Sequence, residues 1–400
     1  MSQALAGLRV LDLTNVLAGP FCTYQMALLG AEVIKVEVPD GGDLARQLGA
    51  DAQLNAQFMG SSFLSQNSAK KSITLNLKSA EGKAVFERLV ASADVLVENF
   101  RPGVMARLGL SWDTLKQRNP QLVYCAISGF GQTGPMKDAP AYDQIIQGLS
   151  GMMSITGEHD GRPLRVGYPV ADTLSGITAA FAIAAALVRR ERTGEGAFID
   201  VSMLDASLVT MGWIVSNHLI AGVAPERHGN DNFTAAPSGA FRTADGLLNI
   251  AANKQEQFEA LTRAIGRPEL LVDERFAKRE SRKRHRAALT AELESVLSTQ
   301  AAAHWESLLS RAGIPSGRVV TVPEALDSPQ VRHRELLQTF DDVPGVGRPI
   351  TVPRAGFKLS AGDPCAHTPP PRLGVDTNVV LAGLGYSADE IEALRAAGVL

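Results

Sequence analysis

Short runs of apolar and β-branched residues alternate with helical segments over the first third of the sequence, and this alternation restricts the possible folds more than any other feature. The predicted order is strand, helix, strand, then strand, helix, strand, strand, over Arg9–Leu13, Pro20–Leu29, Glu32–Glu37, Ile73–Leu77, Ala80–Ala91, Val95–Glu98 and Leu122–Ile127. Repeated β-α-β units with apolar strands form a parallel sheet that helices cover on both faces. The sequence therefore predicts an α/β domain built on a parallel sheet.

The character of the sequence changes near residue 225. Before that point the remaining predicted elements are a helix over Ser175–Arg190, a strand over Phe198–Val201 and a long helix over Leu204–Ala221. After it come a hairpin-like pair, charged helices and a proline-rich tail. Because 400 residues exceed the roughly 250–300 at which one core stops growing, we expect more than one domain. The predicted division is 1–224, 225–325 for a smaller domain, and a C-terminal segment over 326–400.

Composition and charge exclude several classes of protein. The hydrophobic content of 45% is typical of a globular chain, and a net charge of -3 gives no basis for wrapping nucleic acid. Cys22, Cys125 and Cys365 are far apart and form no CxxC pair, which indicates reduced thiols. No secretory signal is recognisable, and the most apolar run, Thr178–Val188, is shorter than the ~20 residues of a membrane span. We expect a cytoplasmic protein that binds neither membrane nor nucleic acid.

A dinucleotide-binding fingerprint occurs at Gly129-Phe130-Gly131-Gln132-Thr133-Gly134. The third glycine of such a motif opens a long helix, but Pro135 and Pro140 would interrupt a helix here. We interpret the segment as a flexible glycine loop beside a ligand site, without nicotinamide binding. The sequence also lacks GxSxG, HExxH and zinc-spaced cysteine–histidine clusters, so we predict no metal site and no histidine-based chemistry.

Two other segments allow both a functional and a plainly structural interpretation. Val38–Lys71 shows no clear periodicity and contains several glycines, as binding loops inside compact domains often do. The basic run Arg275–Arg286 is typical of a solvated helix face, and the alternative is a phosphate or surface contact. The net negative charge of the chain favours the solvated face.

Asp172 is the carboxylate that the pattern singles out, because it lies just before the apolar helix predicted from Ser175. An Asp in this position commonly caps a helix, which contributes about 1 kcal/mol. The same position suits a nucleophile, since a helix N-terminus favours the anion and would keep it ionised near neutral pH. The spacing alone leaves both interpretations open.

Several segments, taken in order, resemble one known family. They are Leu11-Asp12-Leu13-Thr14 with Ala18-Gly19-Pro20, Gly30–Glu37, Gly42-Asp43 with Arg46, Lys71–Lys78, Glu98–Gly103, Gly129–Pro135, and the Asp172 segment leading to Thr193-Gly194-Glu195-Gly196. Together they resemble the family III CoA-transferases, which include formyl-CoA transferase and carnitine CoA-transferase. The resemblance covers essentially the whole chain, is weaker over 225–360, and is closest in character to the succinyl-CoA:dicarboxylate CoA-transferases.

The resemblance implies a fold and an assembly. The expected fold is a large Rossmann-like α/β domain built from both chain ends, with a smaller α+β domain between them. Two such chains would thread through each other as an interlocked homodimer. The acyl-CoA and a free carboxylic acid would be substrates, and no permanently bound cofactor is expected.

The resemblance also implies roles for particular residues, with Asp172 as the catalytic nucleophile. Its CoA-contacting positions fall on Leu17, Ala18, Leu75, Asn76, Leu77, Lys78, Asn99, Phe100, Arg101, Arg107, Pro140, Ala141, Tyr142 and Asp143. Formyl-CoA transferase has an arginine where this chain has Val38, so we expect a neighbour such as Arg46 to supply that cation.

The implied chemistry is covalent catalysis by a carboxylate, which passes through an aspartyl anhydride and an aspartyl-CoA thioester. The alternative on the same fold is α-methylacyl-CoA racemase activity. In the racemases a histidine precedes the residue that matches Asp143, whereas this chain has Tyr142, and a phenol with a pKa of about 10 is a poor base.

The preferred substrates are predicted to be succinyl-CoA and a short dicarboxylic or similarly dianionic acid. The region 228–246 resembles the glutarate, mesaconate and citramalate transferases more than the formyl or carnitine enzymes, and it lacks the glycine run of formyl-CoA transferase. That lack disfavours formyl or oxalyl transfer. A second carboxylate needs a fixed cation or hydrogen-bond donors, and the candidates are Arg165, Arg227, His228 and Asn232.

Overall fold

The computed structural model describes residues 3–400. The strands are β1 Arg9–Leu13, β2 Glu32–Glu37, β3 Lys70–Thr74, β4 Val95–Glu98, β5 Val123–Ser128, β6 Ala197–Ser202, β7 Ser238–Arg242, β8 Leu247–Ala251, β9 Ser316–Arg318, β10 Leu337–Phe340 and β11 Ile350–Pro353. The α-helices of the first half are α1 Ala18–Leu28, α2 Ala52–Ala56, α3 Ser61–Leu64, α4 Ala80–Ala91, α5 Val104–Arg107, α6 Trp112–Arg118, α7 Asp143–Leu149, α8 Val170–Thr193, α9 Met203–Thr210 and α10 Gly212–Ala221. Those of the second half are α11 Gln255–Ala264, α12 Arg279–Arg284, α13 Arg286–Leu297, α14 Ala302–Arg311, α15 Val322–Leu326, α16 Pro329–His333, α17 Thr377–Gly383 and α18 Ala388–Ala396. Short 3-10 helices cover Leu44–Gln47, Met152–Ile155 and Pro268–Leu271.

The first six strands form one parallel sheet in the order β3-β2-β1-β4-β5-β6. The strand order reverses between β1 and β4, and a sheet of this kind opens a crevice at the carboxyl ends of the strands on either side of that reversal. The α/β class and the parallel sheet are confirmed. The sequence placed β3 at Ile73–Leu77, three residues later than the structure does.

Both faces of this sheet are covered by hydrophobic clusters. On one face Phe86 and Leu89 of α4 pack with strand residues and with Leu381 and Ile391 of the C-terminal helices. On the other face α1 and α8 contribute residues such as Ile183. The sheet domain is therefore built from both ends of the chain, as predicted.

Helices α1 and α8 approach each other closely at a glycine. A Cβ atom added to Gly176 would lie 2.6 Å from the carbonyl oxygen of Ala18. Helix α8 has 24 residues and is long and apolar enough to cross a membrane by length and composition, although a buried core helix meets the same test. The sequence predicted this helix over Ser175–Arg190, and it compared only the most apolar run, Thr178–Val188, with the length of a membrane span.

The chain divides into two compact units. The first comprises Met1–Met152, Arg165–Val223 and Arg332–Leu400, and the second comprises Met153–Leu164 and Ala224–Val331. The second unit has a three-stranded antiparallel sheet in the order β7-β8-β9. Its core joins sheet residues such as Phe241 and Ile250 to Phe258, Leu293 and Leu309 of the helices. The smaller unit is therefore an α+β structure.

The basic run Arg275–Arg286 is not simply a solvated face. Arg282 is fully buried and donates to the carbonyl oxygen of Ala236 at 2.9 Å. Arg279 donates to Thr234 O at 3.1 Å, and Arg286 donates to Asn232 O at 2.7 Å. Three arginines of the run therefore hold the backbone of the loop before β7, a role that the sequence prediction missed.

Candidate active site

At the crevice between β1 and β4, reciprocal hydrogen bonds connect the loops that follow these two strands. The backbone N–H of Asn15 donates to Oδ1 of Asn99 at 2.8 Å, and Nδ2 of Asn99 donates to the carbonyl oxygen of Asn15 at 2.9 Å. This pair fixes the two loops against each other at the point where the strand order reverses.

A cavity of about 470 Å³ lies at this crevice and contains Asp172, so we call it the Asp172 cavity. Its lining comes from the loop after β1 (residues 15–18), the loop after β2 (40–42, 44 and 47), the loop after β4 (99–102), the end of β5 with its loop (127–129, 137 and 139–142), and Met203. Cationic side chains in this lining are Arg101 and Lys137. The cavity therefore combines two carboxylates, those of Asp40 and Asp172, with two cationic side chains.

A second cavity of about 530 Å³ lies beside the first, and we call it the Lys78 cavity. Asn15, Asp40 and Phe100 line both cavities, so the two adjoin. The remaining wall comes from residues 13, 36–39, 75–78, 104, 108 and 398. The N–H of Asn76 donates to the carbonyl oxygen of Val399 at 2.7 Å, which brings the C-terminal segment into this wall.

Asp172 lies in the first turn of α8 but does not cap it. The N-cap residue is Pro169, which makes no side-chain capping hydrogen bond. The cap is instead the carboxylate of Asp143, which belongs to α7. Its Oδ1 accepts the N–H of Ala171 at 2.8 Å and, more weakly, that of Asp172 at 3.4 Å. The N-cap interpretation of Asp172 is therefore wrong, and its carboxylate is free to face the cavity.

The pKa of Asp172 is raised to about 7, first by burial and then by the like charge of Asp143. The sequence prediction expected the helix N-terminus to keep this carboxylate ionised near neutral pH. The pKa is shifted in the opposite direction, because burial disfavours the anion and Asp143, which accepts the N–H of Ala171, adds a repulsive charge. A carboxylate with a raised pKa is typical of a catalytic position.

Asp143 is itself held by a buried glutamine. Nε2 of Gln147 donates to Oδ2 of Asp143 at 2.7 Å, and Oε1 of Gln147 accepts the N–H of Val166 at 2.8 Å. Both residues lie on α7, four positions apart, so they face the same side of the helix. The network connects α7 to the start of α8 and fixes the position of Asp172.

Two buried ion pairs include residues that lie close in sequence to the loops lining the Asp172 cavity. Lys35 pairs with Asp43 at 2.9 Å, and Lys70 pairs with Asp12 at 2.9 Å, all with fully buried side chains. Burial and the neighbouring Lys35 lower the pKa of Lys70 to about 8, although Asp12 opposes this change. Such pairs fix geometry more reliably than they add stability.

Comparison with known proteins now decides the family. Residues 5–377 match CoA-transferase family III. The chain belongs to this family. An acetyl-CoA:oxalate CoA-transferase from Acetobacter aceti is 44% identical over 350 residues, covering 86% of this chain and 88% of the relative. A succinyl-CoA:glutarate CoA-transferase from Mus musculus is 37% identical over 399 residues, covering 100% of this chain and 90% of the relative. The crystal structure of a CAIB/BAIF family protein from Brucella suis has a TM-score of 0.83 at 34% identity, covering 96% of this chain and 100% of that one.

In this family III CoA-transferase the two cavities bring together most of the predicted CoA contacts. The Asp172 cavity contains Leu17, Ala18, Asn99, Phe100, Arg101, Pro140, Ala141 and Tyr142, and the Lys78 cavity contains Leu75, Asn76, Leu77 and Lys78. Arg107 is exposed on α5, which also places Val104 in the wall of the Lys78 cavity. Asp143 lies behind Asp172, where it caps α8.

Arg46 lies in a different environment from the one predicted. Its guanidinium is fully buried, forms a bidentate ion pair with Glu37 at 2.7 and 2.8 Å, and stacks on the ring of Phe63. This burial argues against a role for Arg46 at the CoA phosphates. Val38 has an exposed side chain and lines the Lys78 cavity. The cationic side chain in the lining of this cavity is that of Lys78.

The four residues predicted to contact the second carboxylate belong to different units of the chain. Arg165 belongs to the first unit and is exposed, whereas Arg227, His228 and Asn232 belong to the second. Arg227 donates to the carbonyl oxygens of Ser154, Glu158 and Gly161 at 3.3, 3.2 and 2.9 Å, and the ring of His228 stacks on Phe233. Oδ1 of Asn232 accepts from Thr234. These contacts stabilise loops of the second unit.

The structure adds lining residues that the sequence did not single out, among them Asn15, Gln47, Lys137 and Met203. Of the glycine loop Gly129–Gly134, Gly129 alone is among the lining residues of the Asp172 cavity, next to Ser128 at the end of β5. The next helix begins only at Asp143, so no helix opens at Gly134. Among residues 3–400, no cluster of three His, Cys, Asp or Glu side chains could hold a metal ion.

Proposed function

We propose that this enzyme transfers CoA from succinyl-CoA to a short dicarboxylate through covalent intermediates on Asp172. The observation that carries the proposal is the state of Asp172. Its carboxylate lies in a cavity and has a pKa raised to about 7. It does not cap α8, because the carboxylate of Asp143 accepts the N–H of Ala171 there. Such a group is anionic at slightly alkaline pH and more basic than an exposed carboxylate, which favours attack on a thioester.

The reaction proceeds by acyl exchange at three carbonyl carbons, those of the donor, of Asp172 and of the acceptor. The Asp172 carboxylate attacks the donor carbonyl, the C–S bond breaks, and a mixed anhydride and the CoA thiolate form. The thiolate then attacks the aspartyl carbonyl and releases the donor acid, which leaves an aspartyl-CoA thioester. The acceptor carboxylate attacks this thioester and again forms an anhydride and a thiolate. Attack of the thiolate on the acceptor carbonyl gives the new acyl-CoA and regenerates Asp172.

The adjoining cavities support a division of the CoA molecule between them. The thioester end belongs beside Asp172, and the pantetheine passes Asn15 and Phe100, which line both cavities. The Lys78 cavity takes the nucleotide end, where Lys78 can pair with a phosphate. Water has to be excluded, because both the anhydride and the thioester hydrolyse readily.

The dicarboxylate class is supported by the charges of the Asp172 cavity and by both relatives. Arg101 and Lys137 line the cavity and can pair with a carboxylate that does not react. The relatives from Acetobacter aceti and Mus musculus are named for oxalate and glutarate, both dicarboxylates. Oxalate therefore belongs among the acceptors to be tested, although the missing glycine run disfavours it.

We also propose that the enzyme is an interlocked homodimer. Helix α10 buries none of its residues within the chain, although it is largely apolar. Leu219 and Ile220 of α10 are 76% and 85% exposed, and Val209 of α9 is 77% exposed. An apolar helix surface of this kind is typical of a protein–protein interface. A second copy of the chain is the occupant that the family resemblance implies.

The proposal is tested with purified enzyme, succinyl-CoA and a panel of free acids. We expect transfer to glutarate and related dicarboxylates and little transfer to acetate or carnitine. Asp172→Ala should abolish transfer, and hydroxylamine added to the wild-type enzyme with donor should convert Asp172 to a hydroxamate that mass spectrometry locates. The matched variant Asp205→Ala changes another carboxylate in the first turn of a helix, α9, and should retain transfer.

Two outcomes contradict the proposal. Transfer by Asp172→Ala at the wild-type rate would remove the covalent mechanism. Exchange of the α-proton of a 2-methylacyl-CoA in deuterated water, without any CoA transfer, would indicate racemase activity instead.

A further inference from the structure

The loop that forms one wall of the Asp172 cavity contains a residue in an unfavourable backbone conformation. Val16 has a φ of 66°, in the left-handed region. β-Branched residues rarely adopt this region, because the side chain crowds the backbone. Val16 lines the Asp172 cavity together with Asn15, Leu17 and Ala18. Something outside the loop must hold it in this shape.

A buried aspartate contacts the N–H of this residue. Oδ1 of Asp43 accepts the N–H of Val16 at 2.9 Å and that of Ala45 at 2.9 Å. Its other oxygen pairs with Lys35 at 2.9 Å, and both side chains are fully buried. Lys35 in turn donates to the carbonyl oxygen of Thr14 at 2.7 Å. Asp43 and Lys35 therefore hold the loop at Val16 and at Thr14.

The position of Asp43 is fixed from its own side as well. Its N–H donates to Oε2 of Glu37 at 3.0 Å, and Glu37 is locked by the bidentate ion pair with Arg46. Arg46 thus acts at a distance from the cavity, through Glu37 and Asp43. This chain of contacts explains why an arginine of this segment is buried instead of facing a phosphate.

We infer that Asp43 is a positioning residue for CoA transfer, which holds Val16 in its left-handed conformation and thereby sets the wall that faces Asp172. The inference rests on the proposed function, because the wall matters only if a thioester has to be aligned there. Misplacement of a reacting group by a fraction of an ångström reduces the rate of the chemical step more than it weakens binding. Loss of Asp43 should therefore lower kcat more than it raises the donor KM.

A double-mutant cycle tests this inference. Asp43→Ala removes the oxygen that accepts the Val16 N–H, and it should lower kcat about 10- to 100-fold and change the KM for succinyl-CoA less than about threefold. Glycine adopts a positive φ without an external hold, so the same substitution in the Val16→Gly background should lower kcat less than about threefold. Equal losses in both backgrounds would show that Asp43 does not act through Val16 and would overturn the inference.

Asp51→Ala is the matched control. The Asp51 carboxylate also accepts two backbone N–H groups, those of Gln53 and Leu54, and pairs with Arg348, but it lines neither cavity. Its loss should leave kcat within about twofold of the wild type, as for a surface substitution. A kcat loss as large as that of Asp43→Ala would show that both effects come from general loosening of the fold and would also overturn the inference.

If Asp43→Ala does not fold, Val16 itself provides the test. Val16→Pro removes the N–H and forbids a positive φ, whereas Val16→Asn keeps the N–H and tolerates the left-handed region. We expect the proline variant to be at least about tenfold slower than the asparagine variant, and equal rates would contradict the inference.

Amide hydrogen exchange distinguishes failure of the inference from failure of the proposed function. The Val16 N–H should be protected in the wild type and exchange faster in Asp43→Ala, which lacks the acceptor oxygen, while the amides of β1 remain protected. Fast exchange of the Val16 amide in the wild type would refute its hydrogen bond to Asp43, without any activity measurement. A wild type that protects Val16 but transfers no CoA would refute the proposed function, and with it the catalytic role of Asp43.

Discussion

Asp172 must lose a proton before its carboxylate can attack a thioester, and its surroundings oppose that loss. Burial removes the solvation of the anion, and Asp143 adds a second negative charge nearby. The same two effects make the anion more basic once it forms. The residue therefore exchanges some ionisation at neutral pH for reactivity, and the compromise should be visible in the pH dependence of the reaction.

We expect kcat/KM for succinyl-CoA to rise with pH and to level off above about 7, since the anion is the reactive form and the pKa of Asp172 is about 7. Asp143→Asn removes the like charge but keeps an oxygen that can accept the N–H of Ala171. This variant should shift the acidic limb to lower pH. A limb that does not move would belong to another group, and Glu98 is a candidate because burial raises its pKa to about 7 as well.

The sequence revealed the importance of Asp172 but not its environment. A helix cap is ordinarily sought within a few residues of the helix start, whereas the cap of α8 comes from Asp143, 29 positions before Asp172 and on another helix. Arg46 was misjudged for a related reason, because a charged residue in a glycine-rich loop is normally exposed. Its burial depends on Glu37 and Phe63, which only the fold brings together.

At the scale of elements, the contact between α1 and α8 places Asp172 beside the loop after β1. Gly176 lies one turn after Asp172, and the Ala18 carbonyl occupies the space where a side chain would be. Gly176→Ala should push the helices apart, destabilise the fold by about 1–3 kcal/mol and lower kcat. Gly383→Ala is the control, because a Cβ atom added there would meet nothing within 4 Å. This substitution should stabilise α17 by about 0.5–1 kcal/mol, since glycine loses more conformational freedom than alanine on folding.

Denaturant unfolding and initial rates measure the two effects of these glycine variants. Equal stability and activity in Gly176→Ala and Gly383→Ala would show that the contact between α1 and α8 tolerates a methyl group. That result would contradict the importance of this contact for the site.

The elements that the sequence predicted well are those whose pattern reflects burial. Strands β1, β2 and β4 and helix α4 have the predicted bounds, because their buried apolar residues recur at the spacing of a strand or a helix. Where local pattern and tertiary contacts diverge, the prediction was less accurate. The predicted helix Leu204–Ala221 is two helices separated at Met211, and Val38–Lys71 contains the short helices α2 and α3.

At the scale of the whole molecule, the exposed surface of α9 and α10 should be covered in solution. We expect light scattering to give the mass of a dimer at all concentrations. Two differently tagged preparations should form no hybrid dimers when mixed, since interlocked chains exchange only by unfolding, but should form them after joint unfolding and refolding. A monomer that appears on dilution would contradict the interlocked assembly.

The contact between Asn76 and Val399 links ligand binding in the Lys78 cavity to the stability of α18. Gly398 lines this cavity and follows α18, and the N–H of Asn76, another lining residue, donates to the carbonyl oxygen of Val399. Local unfolding of α18 would therefore remove part of the cavity wall. A ligand that binds only to the complete cavity would oppose this unfolding in proportion to its affinity, so α18 should exchange its amides more slowly when the cavity is filled.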